Sequence, residues 1–158
     1  MLFCEHSPIR RLIFSWRWNG IKSWVSVHIV RHWLGIVHWV STRRTDRTGV
    51  DRNELKQSEL VNHEAEANSQ ALINISRKRL CNQAAKDTRE AWQMVKQRIY
   101  DEGQVEMAQH MVRECVYRNG LCPEMKCCGY NQTEAFKKEL DEYRGIIINQ
   151  VSKYSGVE

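Results

Sequence analysis

Over its first 42 residues the chain changes local preference twice, and that order constrains the fold more than any other feature. Leu12-Ile13-Phe14-Ser15-Trp16-Arg17-Trp18 is rich in β-branched and aromatic residues and stops at Asn19-Gly20, a turn signal. Residues 21–34 then set Ile21, Trp24, Val25, His28, Ile29, His32 and Trp33 at helical spacing. Gly35 ends this helix, and Ile36 to Thr42 is again apolar and β-branched. A strand, a helix and a strand in succession predict an α/β (α+β) domain, with helices packed on a small mixed sheet.

The remainder reads as loop and helix. Residues 43–66 are polar and charged, carry Gly49 and offer few apolar anchors, so they are expected to form a polar loop. Asn68 is placed to cap a helix running to about Leu80, with Ala71, Leu72 and Ile75 inward. A long helix from about Asn82 to Asp101 would bury Ala84, Ala85, Thr88, Trp92, Val95 and Ile99 along one stripe. Residues 104–118 suggest a further helix and 119–130 a cysteine-rich loop. Asn131-Gln132-Thr133-Glu134 gives the last helix a start resembling a capping box. The C-terminal half is thus expected to be helical, and 158 residues fit a single domain spanning 1–158.

Charge and cysteine usage narrow the function classes. The net charge of +5 is concentrated in residues 1–50, where Arg10, Arg11, Arg17, Lys22, Arg31, Arg43, Arg44 and Arg47 face only Glu5 and Asp46. A basic half points to an anionic partner, either nucleotide phosphates or nucleic acid. The apolar region from Leu12 to Val40 is interrupted by Arg17, Lys22 and Arg31, whereas a membrane span needs roughly 20 nearly uncharged residues. Glu5, Arg10 and Arg11 are not followed by the apolar core and cleavage site of a signal peptide, so the Asn131-Gln132-Thr133 sequon is expected to be idle. Six cysteines without a secretory signal favour reduced thiols or a metal over disulfides, and a cytoplasmic location.

Within the apolar run lie basic groups at fixed separation: Val30-Arg31-His32-Trp33-Leu34-Gly35-Ile36-Val37-His38-Trp39-Val40-Ser41-Thr42-Arg43-Arg44. Such groups are expensive there unless an anion or a carboxylate meets them. The frame resembles the signature of flavin-dependent thymidylate synthases: Arg-His-Arg, two variable residues, Ser, variable, Asn-Glu, variable, Ser, variable, Arg-Tyr. Arg31, His32, Ser41 and Arg43 stand in register, while Trp33, Ile36, His38, Trp39 and Arg44 depart. Two later blocks follow in the family's order. The stretch from Asn68 to Arg89 is similar to its Asn-Ala-Arg-Glu-Leu segment and the Asn-Arg-Ala-Gln-Trp-Glu-Ile-Arg that follows, with Asn68, Leu72, Arg79, Asn82, Ala84 and Arg89 on matching positions. Here Gln70, Ala85-Lys86 and Asp87 depart, and the segment between these blocks is shorter than is usual. Cys122-Pro123-Glu124-Met125-Lys126-Cys127-Cys128-Gly129 resembles the Cys-Pro-Glu-Gly-Lys…Cys-Gly ending of many bacterial members, and Glu5-His6-Ser7 a lead-in ahead of the first strand.

The resemblance implies a homotetrameric α/β enzyme that reductively methylates dUMP to dTMP. It would use FAD, with NADPH and methylenetetrahydrofolate as cosubstrates, and build its active sites from several subunits. Carried over by position, Arg31, His32 and Asn68 are cofactor candidates, and Ser41, Arg43 and Arg79 bind the pyrimidine nucleotide. Arg43 and Arg79 are then expected to converge on one phosphate across a subunit interface. Guanidinium forks and hydroxyls suit a phosphate, and the flavin and folate carry the chemistry, so no protein nucleophile is required. Trp39 removes a carboxylate that the family places near the pyrimidine, which leaves the activity open to alteration or loss.

The same residues also support plainer roles. Arg31 and His32 near a helix end would offset its dipole. Trp16, Trp18, Trp24, Trp33 and Trp39 would be core or interface aromatics, and Arg77-Lys78-Arg79 a solvated helix face. Cys115, Cys122, Cys127 and Cys128, with His110 nearby, are zinc candidates, but they lack paired Cys-x-x-Cys knuckles, and a loop of buried, reduced thiols is the preferred reading. A zinc-stabilised cysteine loop beside a basic half defines the alternative function, a small nucleic-acid-binding or regulatory protein.

Overall fold

The computed structural model describes residues 2–155. Its strands are β1 (Ile13–Lys22), β2 (Ile36–Val40) and β3 (Leu60–Asn68). Its α-helices are α1 (Ser23–Val30), α2 (Thr45–Thr48), α3 (Ser69–Arg79), α4 (Lys86–Asp101), α5 (Val105–His110), α6 (Glu114–Tyr117) and α7 (Glu134–Ser155). The architecture is mixed α/β: one three-stranded antiparallel sheet in the order β1-β3-β2, and seven α-helices among the described residues. None of these helices is long and apolar enough to cross a membrane.

The strand-helix-strand order of the first 40 residues is present, but β1 and β2 are not neighbours. Both pair antiparallel with β3, so they run parallel to one another with β3 inserted between them. β1 also continues through Asn19-Gly20 instead of stopping there. Trp18 pairs with His63 and Ile21 with Val61, so β1 holds one extra residue across that step, a bulge that Gly20 accommodates at φ 84°.

The central strand corrects the polar-loop expectation for 43–66. β3 alternates buried and exposed along its length: Val61, His63, Ala65 and Ala67 face inward, and Leu60, Asn62, Glu64 and Glu66 outward. α1 and α3 pack on that face, where the small side chains of Ala65 and Ala67 leave room for them. Residues 43–59 hold only α2 and a 3-10 turn, Arg52–Glu54, between longer irregular stretches.

The main core joins the inner sheet face to α1, α3 and α4 through Trp18, Ile29, Ala65, Leu72, Ile75 and Trp92. Trp92 donates through Nε1 to Ser76 Oγ (2.9 Å), and Trp18 through Nε1 to the Ala91 carbonyl (3.2 Å). Trp33 and Trp39 instead lie outside, with Trp33 78% exposed. The predicted cap of α3 forms, with Asn68 Oδ1 accepting from Ala71 N at 2.9 Å.

Two helical boundaries shift. α4 begins at Lys86 because Ala85 takes an extended backbone (φ −53°, ψ 138°), leaving Asn82 to Ala85 in the connection. The helix expected over 104–118 divides into α5 and α6. Met111 and Val112 are both buried but enter different clusters, Met111 the main core and Val112 a second one with Phe136, Leu140 and Tyr143 of α7. Adjacent residues on a continuous helix point about 100° apart, so the break lets the two reach different cores.

Candidate functional site

The candidate site is built around α1. Val25, Ser26 and Ile29 are its buried residues and pack toward the sheet. Trp24, Val27, His28 and Arg31 line an open cleft of about 540 Å³, whose other lining residues include Arg43, Arg52, Leu55 and Gln57 from the stretch after β2. Arg43 closes one end of the cleft, donating through Nη1 to Ser23 Oγ (2.7 Å) and through Nη2 to the Lys56 carbonyl (2.9 Å). Its Nε is buried without a hydrogen-bond partner. No lining residue carries a carboxylate, so three guanidiniums share a cleft with an indole and two aliphatic side chains. That combination suits a ligand with a phosphate at one end and a planar apolar body at the other.

At the C-terminal end of α1 sits a second basic group. Arg79, from the last turn of α3, donates through Nη2 to the His28 carbonyl (2.7 Å) and through Nε to His32 Nε2 (2.8 Å). A guanidinium on an otherwise unpaired helix carbonyl is a favourable cap. Burial, then the neighbouring Arg31, lowers the Arg79 pKa. Burial, Arg79 and His38 bring His32 down to about 4, so this imidazole is neutral at neutral pH and free to accept from Arg79. His28 bonds Thr88 Oγ1 through Nδ1 (3.0 Å), and its pKa is lowered by burial, Arg31 and Arg79 in that order.

Behind the cleft runs a line of polar groups, buried at Ser26 and His63 and half-buried at His38. Ser26 Oγ is 3.0 Å from His63 Nδ1, His63 Nε2 is 3.0 Å from His38 Nδ1, and His38 Nε2 is 2.7 Å from the His32 carbonyl. Burial, then His38, lowers His63 to about 4. Serine, histidine and histidine in series resemble a nucleophilic triad, but Ser26 is buried and His63 wholly so, beneath α1. A substrate has no approach to that hydroxyl, so the line is not a hydrolytic centre.

The candidates from the sequence divide among these features. Arg31 and Arg43 come together on the α1 cleft, although the resemblance gave them to different ligands. His32 and Arg79 come together with each other, at the opposite end of α1 from Arg43 within one chain. Ser41 continues the β2–β3 ladder: its N–H donates to the Asn62 carbonyl (2.9 Å) and its Oγ accepts from Asn62 N (3.0 Å). Asn68, the α3 cap, lines a separate groove of about 480 Å³ with Arg10, Leu34 and Gln70. Arg77 is not part of a solvated face, since it pairs at 2.7 Å with Glu114, a carboxylate only 2% exposed.

Cys115, Cys122, Cys127 and Cys128 line one small void with Cys81. All are free thiols, and among the described residues no group of three His, Cys, Asp or Glu side chains is arranged to hold a metal ion. Burial pushes the Cys115 thiol up to about 11, so it stays protonated at neutral pH. Sequence reasoning missed Arg52, Trp24 and His28 as cleft residues. Arg52 falls in a stretch whose composition signals loop, and Trp24 and His28 have the spacing of a helix's apolar stripe. No protein-family model, curated protein or solved structure matches the chain.

Proposed function

We propose that this chain is a flavin-dependent thymidylate synthase-like protein whose α1 cleft binds the phosphate-bearing part of its nucleotide ligands. The observation that carries this reading is the grouping of Arg31, Arg43 and Arg52 in one cleft without a carboxylate. The unpartnered buried Nε of Arg43 adds a donor that an anion would satisfy. A cleft of about 540 Å³ falls within the usual range for small-molecule sites.

FAD fits part of this donor set. Arg31 and Arg43 would meet phosphate oxygens and Trp24 would stack on a planar ring, while Trp33, in place of a family arginine, turns outward and supplies no charge. When bound, the flavin supplies hydride transfer, with NADPH as its reductant and methylenetetrahydrofolate as one-carbon donor, for the conversion of dUMP to dTMP. The chain's own residues bind and orient. Since fewer cations face the flavin than in the family pattern, its affinity is expected to be micromolar, about −8 kcal/mol. The protein acts as a homo-oligomer in this reading. Flavin fluorescence on titration tests it: quenching that saturates in the micromolar range and disappears in Arg31→Ala is expected. No quenching by the wild-type chain, with or without dUMP, would overturn the enzymatic reading.

A further inference from the structure

Two imidazoles, His38 and His63, tie the turn between α1 and β2 to the sheet, and one atom sets the sense of their hydrogen bonds. The His32 carbonyl can only accept, so His38 must donate to it from Nε2 at 2.7 Å. With its one proton on Nε2, His38 presents Nδ1 as an acceptor, and His63 donates to it from Nε2 across 3.0 Å. A neutral His63 in turn presents Nδ1 to Ser26, whose hydroxyl donates across 3.0 Å. The line therefore runs in one sense, from Ser26 through His63 and His38 to the main chain at His32. It crosses α1, β3 and β2 and ends on the turn that follows Arg31.

From the other side, Arg79 holds the same turn through the His32 ring and the end of α1 through the His28 carbonyl. Arg31 lines the anion cleft, and no hydrogen bond or ion pair holds its side chain among the described residues. Its place thus depends on the main chain that the two clamps fix. We infer that His38 and His63 are positioning residues, a one-way imidazole relay that sets the α1–β2 turn and so presents Arg31 to the cleft. The consequence for the cleft rests on its reading as an anion site, whereas the relay does not.

The test is side-chain ¹H–¹⁵N NMR of the full chain at neutral pH, with amide exchange and inorganic phosphate titration. His38 and His63 should both carry their proton on Nε2, and His32 on Nδ1. Ser26→Ala removes the first donor but leaves the carbonyl end, so the tautomers of His63 and His38 should not change. His38→Leu removes the directing group. His63 should then populate the Nδ1–H form, donating to Ser26, and the amides of residues 31–35 should exchange about tenfold faster. Phosphate binding should weaken several-fold in His38→Leu and stay within about twofold in Ser26→Ala. A wild-type His63 protonated on Nδ1, or a His38→Leu protein with unchanged tautomers and turn exchange, would overturn the relay. If the wild-type chain binds no phosphate, the cleft reading falls, while the tautomers and exchange rates still decide the relay.

Discussion

Acid should unfold this protein earlier than its carboxylates alone would cause, and His63 is one reason. It is 0% exposed at the centre of the sheet, against Trp18 at a ring distance of 5.1 Å. Burial, followed by the neighbouring His38, holds it at about 4 in the folded chain, against 6.5 when free. A lowered folded value means that the unfolded chain binds the proton more tightly. Stability from this group is therefore complete above 6.5, falls as pH drops below that, and is gone once pH passes about 4. At about 1.4 kcal/mol per pH unit, that interval is worth about 3 kcal/mol, a large part of the stability of a small domain. Urea unfolding at a series of pH values from about 7.5 to about 4.5 measures it, with His63→Gln as the non-titrating comparison. The wild-type chain should lose about 2.5 kcal/mol more than the variant over that range. His32, held at about 4 by burial, Arg79 and His38, contributes in both proteins and cancels from the difference. Equal losses in the two proteins would refute the reasoning.

Three further outcomes follow from single contacts. Gly35 has φ 74°, and a Cβ there would lie 2.8 Å from Asn68 Nδ2, so Gly35→Ala should strain the turn, disturb the α3 cap and cost about 2 kcal/mol by chemical denaturation. Burial would raise the Glu114 carboxyl, but hydrogen bonds from Arg77 and Arg118 outweigh it and hold it at about 2. Glu114→Gln leaves those guanidiniums without their counter-charge and Lys78 with Glu124 alone, and should cost about 3 kcal/mol, a difference that narrows as pH falls below 4.5 toward 2. In timed alkylation mapped by mass spectrometry, the exposed Cys127 and Cys128 should react first and Cys115 last, because burial raises its thiol to about 11.

The elements that bury a broad apolar stripe were legible in the sequence. Asn68 with Ala71, Leu72 and Ile75 marked α3, and Trp92, Val95 and Ile99 marked the buried side of α4. β3 was not legible, since Ala65 and Ala67 are poor strand formers and Glu64 and Glu66 make the stretch polar. Only the two-residue alternation of Val61, His63, Ala65 and Ala67 signalled it. Missing the central strand concealed how β1 and β2 are joined and why His63, distant in sequence, meets His38 beside α1. For the cleft, Arg31 and Arg43 were legible as basic groups in an apolar frame, whereas Arg52 was not, because nothing local separates it from other charged residues of its stretch. That Arg79 faces a carbonyl and an imidazole depends on how α3 lies against α1, which no local pattern encodes.

Calorimetric titration of the wild-type chain with dUMP, beside Arg31→Ala and Arg52→Ala, tests the cleft most directly. Among the described residues neither arginine side chain is engaged in a hydrogen bond or ion pair, so replacing them removes charge from the cleft without removing a structural contact. Binding by the wild-type chain is expected, weakened by about 1.5–3 kcal/mol in each variant, the scale of a charge-assisted hydrogen bond. Absence of binding by the wild-type chain, or equal affinity in all three proteins, would contradict the assignment of this cleft to a nucleotide phosphate.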